Sequence, residues 1–110
     1  WTSYTDDPEL LIKSIKNSKE VWTLWEGEKL IGLARTIGDG ITICYIQDIL
    51  ILKAYQGQGF GSILLKEVLK ANEKVRQIVL LTDNTEQTKN FYKKAGLREV
   101  SDYSCLAFMR

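Results

Sequence analysis

The chain has 110 residues, with 15 Lys and Arg against 14 Asp and Glu, and it contains no histidine. This length allows one domain with a modest core, and a net charge of +1 without any basic block argues against a nucleic-acid partner. No apolar run is long enough to span a membrane, and a metal site is not expected without the commonest metal ligand.

The first half of the chain predicts a helix followed by antiparallel strands. After an opening turn, Asp7-Pro8-Glu9 is typical of a helix start, because proline fits the first helical turn. The Asp39-Gly40 pair predicts a two-residue hairpin turn. The predicted strands are Val21–Trp25, Leu30–Ile37 and Ile41–Leu52.

The second half predicts a helical crossover and a second helix. An amphipathic helix is expected from Gly59 to about Asn72, and another ends at Gly96, a residue suited to the position after a helix. Further strands are predicted at Val75–Thr82, Leu97–Val100 and Ser104–Met109. Since a helical crossover joins parallel strands, the pattern predicts an α/β (α+β) domain with a mixed central sheet and helices on both faces.

A glycine-rich turn between an apolar strand and a helix is the most informative feature of the sequence. Unpaired N–H groups converge at a helix N-terminus and favour an anion, usually a phosphate. Glycines at alternate positions let the backbone approach such a ligand closely. The residues predicted to hold the phosphate are Gln56, Gly57, Gln58, Gly59, Phe60, Gly61 and Ser62.

Three glycine patterns compete for this turn. A P-loop requires a lysine directly after its last glycine, and Gly61 is followed by Ser62. A dinucleotide-binding turn fits at Gly57 and Gly59, and Asp83 lies where a ribose-binding acid would be expected, but the third glycine is missing. The third pattern, Q/R-x-x-G-x-G/A, fits Gln56, Gly59 and Gly61 in register.

This last pattern resembles the coenzyme A pyrophosphate loop of the GNAT N-acetyltransferase family. The resemblance extends to the apolar triplet Ile49-Leu50-Ile51, to the strand Gln77–Thr82, and to Phe91-Tyr92-Lys93-Lys94-Ala95-Gly96-Leu97, where the family usually has Phe in the last position. Residues 22–52 are also similar to small bacterial members and to plant chloroplast arylalkylamine acetyltransferases.

The resemblance implies an activity and a set of site residues. The central parallel strands would splay apart, and the N–H of Ile49, freed by a bulge, would stabilise the oxyanion of the thioester. The backbone of Ile51 would pair with the pantetheine arm as a strand would, and Leu50 belongs to the same cofactor-binding triplet. Asn84 would reach the arm by a hydrogen bond, unless it is instead a helix cap. Tyr92 would protonate the departing thiolate, unless it is only a core residue.

The general base is the open question of this interpretation. Tyr45 and Gln47 fall where relatives carry a glutamate or histidines, and neither is a good base. Asp48 is the carboxylate of that strand, and it is either the base or a structural hydrogen-bond acceptor at the bulge. A chain of water molecules is the alternative proton acceptor.

The sequence therefore predicts an N-acetyltransferase that uses acetyl-CoA as cosubstrate, a small-molecule or peptide amine as acceptor, and no metal. A non-catalytic coenzyme A binding module and a dinucleotide-binding domain are the alternatives. We expect one domain over residues 1–110 without the first strand and helix of the family, a cytoplasmic location, reduced buried thiols at Cys44 and Cys105, and possible homodimers.

Overall fold

The computed structural model describes residues 7–110, and within them it has three α-helices, four strands and two short 3₁₀ helices. The helices are α1 (Pro8–Lys16), α2 (Phe60–Ala71) and α3 (Glu86–Lys94). The strands are β1 (Glu20–Glu26), β2 (Lys29–Gly38), β3 (Ile43–Ile51) and β4 (Gln77–Val79). The 3₁₀ helices are Lys53–Tyr55 and Val100–Tyr103.

The start of α1 is as the sequence predicts. The Asp7 side chain accepts a hydrogen bond of 3.1 Å from the N–H of Leu10, and Pro8 occupies the first turn. An acidic N-cap and an early proline both act within one turn, so the local sequence alone determines this boundary. The turn expected before Asp7 lies outside the described residues.

The four strands form one mixed sheet in the order β1-β2-β3-β4. The β1–β2 and β2–β3 pairs are antiparallel, and β3 and β4 are parallel. The parallel ladder runs only from Ile43–Gln77 to Tyr45–Val79, whereas β3 continues to Ile51 beside β2. The two central strands therefore separate toward their carboxyl ends, as predicted.

A hydrophobic cluster holds α2 and α3 against one face of the sheet. Its buried members are Ala34, Cys44, Ile46, Leu64, Leu65 and Val68, with Phe91 and Tyr92 of α3 packed against them. Arg35, the neighbour of Ala34, faces the opposite side and donates to Ser18 Oγ at 3.2 Å, just beyond the end of α1. The prediction of a mixed α/β domain is confirmed.

The connection between β2 and β3 differs from the two-residue turn that Asp39-Gly40 predicts. The last pair of this ladder is Gly38–Cys44 and β3 begins at Ile43, so residues 39–42 form a wider loop. The N–H groups at positions 41, 42 and 43 all donate to Asp39 Oδ1, at 2.9, 2.8 and 3.1 Å. These bonds and one from the Thr42 hydroxyl lower the pKa of Asp39 strongly, and they replace the backbone bonds of a tight hairpin.

The two predicted C-terminal strands are wrong. No strand follows Val79 in residues 7–110; Val100–Tyr103 is a 3₁₀ helix, and Ser104 has a left-handed φ of 58°. The N–H of Cys105 bonds locally to the carbonyl of Val100 at 3.0 Å instead of to a neighbouring strand. Alternating apolar residues favour a strand only where a partner edge is available.

The prediction for the cysteines is half right. Both thiols are free, but only Cys44 is buried, and Cys105 is exposed because the strand predicted for it does not form. Burial among the apolar side chains of the cluster is the main cause that raises the pKa of the Cys44 thiol.

Candidate functional site

An open sheet edge lies where β3 and β4 separate. Before the separation, the carbonyl of Thr42 accepts the N–H of Gln77 at 3.0 Å, so even-numbered residues there direct their backbone groups toward β4. After it, the N–H of Leu52 donates to Ile31 in β2 at 2.9 Å. Alternation along the strand therefore directs the backbone N–H groups of Ile49 and Ile51 toward the open edge.

A one-residue bulge causes this reversal. Arg35 pairs with Asp48 and Thr36 pairs with Ile46, which leaves Gln47 as the extra residue of β3. An inserted residue changes which of the following residues face the partner strand. The family resemblance implies a bulge that frees main-chain groups at Ile49 and Ile51, and the structure has a bulge at Gln47 that directs both N–H groups to the open edge.

The loop after β3 is held by its own glutamine side chains. Gln56 Nε2 donates to the carbonyl of Ile51 at 3.0 Å, and Gln58 Nε2 donates to the carbonyl of Ala54 at 3.4 Å. Both bonds go to main-chain oxygens at the end of β3 and in the 3₁₀ turn. The two side chains thus shape the loop, and the backbone N–H groups remain the natural ligand-binding groups.

The three glycines of the loop have different roles. Gly57 and Gly59 have φ of 80° and 86°, and a Cβ at either position would meet nothing within 4 Å. Their backbone is therefore open to a ligand. A Cβ at Gly61 would instead lie 3.4 Å from two ring carbons of Phe91. Gly61 therefore faces Phe91 of α3, whereas the Cβ positions of Gly57 and Gly59 are open.

The N-terminus of α2 opens onto the same loop. Gly59 is the N-cap, and no side chain caps the helix there. The N–H groups of the first turn, at Phe60, Gly61 and Ser62, precede the first intrahelical bond, which Ile63 makes to Gly59 at 3.2 Å. Such a terminus carries a partial positive charge and attracts anions.

Tyr92 lies on α3 at the other side of the opening. Its ring stacks edge-on against Phe91 with the ring centroids 4.9 Å apart. Burial raises the pKa of Tyr92, and a hydrogen bond from the Thr82 side chain acts in the opposite direction. The phenol therefore stays protonated at neutral pH, and its partner Thr82 follows the end of β4.

Asn84 is exposed and is not the cap of α3. Thr85 caps this helix by accepting the N–H of Thr88 at 3.1 Å. The alternative role that the sequence suggests for Asn84 is therefore wrong, and its side chain is available for another partner.

Asp48 forms a nearly buried ion pair with Arg35. Arg35 Nε lies 2.6 Å from Asp48 Oδ2, and the two side chains are only 7% and 9% exposed. Sequence reasoning missed Arg35 and Thr82. A signal for Arg35 was available, since a single charge within the apolar run Leu30–Ile37 requires a buried partner.

These features give the opening a defined chemistry. An anion can bind at the α2 terminus, an extended amide-bearing chain can pair with the edge at Ile49 and Ile51, and a neutral phenol lies nearby. Among residues 7–110 no three His, Cys, Asp or Glu side chains are grouped to bind a metal ion. Within the same residues, the helices are too short or too polar to cross a membrane.

Comparison with known proteins gives consistent relatives. A sequence model described as acetyltransferase (GNAT) domain matches residues 17–99. A GNAT family acetyltransferase from Streptococcus pneumoniae TIGR4 is 33% identical with a TM-score of 0.88, over 93% of this chain and 77% of that one. A GNAT family acetyltransferase from Elizabethkingia anophelis with acetyl-CoA bound is 30% identical with a TM-score of 0.66, over 84% and 63%.

The curated relatives are longer proteins. The chloroplastic GCN5-related N-acetyltransferase 2 of Arabidopsis thaliana is 35% identical over 71 residues, which are 63% of this chain and 27% of that protein. The chain spans less than half the length of the curated relatives compared, at 42% in the case of a Gibberella zeae protein.

Proposed function

The chain belongs to the GNAT acetyltransferase family, and from this premise we propose that it transfers the acetyl group of acetyl-CoA directly to a primary amine. The observation that carries the proposal is that one loop joins the open edge of β3 to the uncapped N-terminus of α2. A thioester with an amide-bearing arm and a pyrophosphate matches both features at once. Family membership also leaves the dinucleotide-binding alternative without support.

In this proposal the main chain binds the cosubstrate. The N–H groups of residues 56–62 hold the pyrophosphate, with the open backbone at Gly57 and Gly59 allowing close approach. The edge at Ile51 pairs with the pantetheine amides as a neighbouring strand would, whereas Leu50, predicted as a cofactor-binding residue, directs its backbone toward β2. Asn84 donates to the arm from the opposite side. The acetyl-CoA bound to the Elizabethkingia anophelis relative supports this choice of cosubstrate.

The transfer then proceeds through a tetrahedral intermediate. The neutral amine attacks the thioester carbonyl, and the N–H of Ile49 stabilises the oxygen that becomes negative. When the intermediate collapses, the carbon–sulfur bond breaks, and Tyr92 donates its proton to the departing thiolate. The ammonium proton of the intermediate leaves to solvent, from which the tyrosine recovers its own. The products are the amide and free coenzyme A.

We assign the proton acceptor to water and give Asp48 a structural role. The Asp48 carboxylate is already paired with the Arg35 guanidinium at 2.6 Å, and its side chain is only 9% exposed, so the geometry does not present it to an incoming amine. The sequence leaves both acceptors open, and the ion pair with Arg35 is the observation that favours water.

The test combines binding with turnover. Acetyl-CoA at about a hundredfold above its dissociation constant should stabilise the protein by about 2.7 kcal/mol, and a nicotinamide dinucleotide should not. Thiol release with arylalkylamines, polyamines, peptides and aminoglycosides then identifies the acceptor. Stabilisation without turnover of any amine would favour the coenzyme A binding module, and the absence of stabilisation would refute the proposal.

The cellular location and the oligomeric state of the protein are also proposals. We propose a cytoplasmic location, although one relative is chloroplastic. A homodimer through sheet edges is compatible with the positions of β1 and β4 at the two ends of the described strand order.

A further inference from the structure

The buried pair Arg35–Asp48 lies directly beside the bulge of β3. The two residues face each other across the β2–β3 ladder, and the register shifts between Arg35 and Thr36. Arg35 Nε donates to Asp48 Oδ2 at 2.6 Å, while Nη1 of the same guanidinium donates to Ser18 Oγ at 3.2 Å. The pair thus joins three segments of the chain at the position where the strand is irregular.

Stability alone is a weak reason for an ion pair in this position. Desolvation of two charges offsets most of their attraction, and apolar residues of similar volume are often equally stable. The best-attested use of a buried charged pair is to specify one register. A charge-assisted bond from the planar guanidinium restricts both distance and angle.

The register at this point decides which way Ile49 faces. Asp48 immediately precedes Ile49, and Gln47 is the inserted residue. If the bulge were lost, the alternation of Cys44 and Ile46 would continue, Asp48 would no longer lie opposite Arg35, and the N–H of Ile49 would turn from the open edge toward β2. Holding Asp48 opposite Arg35 therefore holds the N–H of Ile49 in the opening.

We propose that Arg35 is a positioning residue for the acetyl transfer: through Asp48 it fixes the β3 bulge so that the N–H of Ile49 is aimed at the thioester oxygen. The inference rests on the proposed function. Arg35 itself touches neither the thioester nor the amine, and it acts through the main chain of β3.

The experiment uses acetyl-CoA isotopically labelled at the thioester carbonyl carbon and no amine. Difference infrared spectra report how strongly a hydrogen bond polarises the bound carbonyl, independently of any proton acceptor. In the unaltered protein the carbonyl frequency should fall on binding. In Arg35→Met the fall should be lost while acetyl-CoA still binds, because the pyrophosphate loop is intact.

A double variant separates positioning from folding. Arg35→Met with Asp48→Leu removes both charges and fills their space, so it should recover stability without recovering the lowered carbonyl frequency. Arg98→Met is the matched control, since it removes an exposed pair of the same type, Arg98 Nε to Asp102 Oδ2 at 3.6 Å. Its spectrum should match that of the unaltered protein.

Two results would overturn the inference. One is a normal frequency in Arg35→Met, and the other is recovery of stability and frequency together in the double variant, since the pair would then be a replaceable packing element. If the unaltered protein does not bind acetyl-CoA, the proposed function fails. If it binds acetyl-CoA with a lowered frequency that no variant changes, only the role of Arg35 fails.

Discussion

The ring of Phe91 lies against the backbone of Gly61, so close that a Cβ at Gly61 would be 3.4 Å from Cε1 and Cζ of the ring. This contact joins the first turn of α2 to α3, and it brings the anion-binding end of one helix next to the helix that carries Tyr92. A Cβ at Gly61 would also lie 3.9 Å from Cγ1 of Ile51 at the end of β3. The helices α2 and α3 and the strand β3 therefore contact one another at Gly61.

Substitutions at Gly61 should reveal a packing role. Gly61→Ala should change the free energy of unfolding by less than about 1 kcal/mol, because the helix gain of alanine over glycine offsets a contact at the edge of the normal range. Gly61→Leu should cost about 1–3 kcal/mol by overpacking. Urea denaturation measures both, and loss of acetyl-CoA affinity in Gly61→Ala at unchanged stability would instead show a ligand-contact role.

Gly59→Ala should weaken acetyl-CoA binding beyond its effect on folding. Its φ of 86° costs a side chain about 1–2 kcal/mol of backbone strain, and the new methyl group would project into the space assigned to the pyrophosphate. Isothermal calorimetry measures the affinity, and thermal denaturation measures the stability.

Gly96→Ala provides the control for that strain. Gly96 has a φ of 93°, and a Cβ there also meets nothing within 4 Å. Gly96→Ala should destabilise the protein to an extent similar to Gly59→Ala and leave the acetyl-CoA affinity unchanged. Equal affinities in the two variants would mean that the phosphates are not held at Gly59.

Tyr92→Phe should lower the turnover number by about 10²-fold with little change in acetyl-CoA affinity, because the leaving thiolate loses its proton donor. Steady-state kinetics with an active amine gives the result. Thr82→Val is a useful companion, since it keeps the phenol and removes the hydrogen bond that opposes its raised pKa. Normal turnover in Tyr92→Phe, together with a lower melting temperature, would assign Tyr92 to the core alone.

Asp48→Asn should leave the shape of the pH–rate profile unchanged while lowering the rate at every pH. If water accepts the proton, the ascending limb follows the pKa of the amine and moves when the amine is changed. Loss of the limb in Asp48→Asn would identify this carboxylate as the base in spite of its contact with Arg35.

The stability of the protein at alkaline pH should depend on Tyr92. Burial places its folded-state pKa above the value of about 10 for an unfolded chain. Its contribution is therefore complete below about pH 10 and is lost as the pH rises through the folded-state pKa. Chemical denaturation from about pH 9 to about pH 11 should show a shallower decline of unfolding free energy in Tyr92→Phe, and identical slopes would argue against the shift.

Local patterns predicted much of this fold. The cap at Asp7, the period of α2 and the alternation along β1 and β2 act within a few residues, so the predicted boundaries agree with the structure to within one or two positions. The wide loop at Asp39 escaped prediction because one carboxylate replaces several backbone partners. The C-terminal strands failed because a strand needs a distant edge that the alternation of Leu106 and Phe108 does not reveal.

The candidate site could be predicted from the sequence less fully than the fold. The loop and the open edge follow from a glycine spacing and a family resemblance, but the separate role of Gly61 depends on Phe91, thirty positions along the chain. The pairing of Arg35 with Asp48 likewise depends on strand register. The roles assigned to Tyr92, Asp48 and Ile49 stay predictions until the variants are measured.

The open edge of β3 presents main-chain groups, and this limits what mutagenesis can remove. Every residue except proline supplies the same N–H at positions 49 and 51, so drift of the side chains leaves the edge chemically constant. Only replacement of an amide by an ester, through chemical synthesis or semisynthesis, deletes one of these donors without changing a side chain. Main-chain groups that recognise a cosubstrate therefore stay the same while side chains elsewhere diverge to select an acceptor.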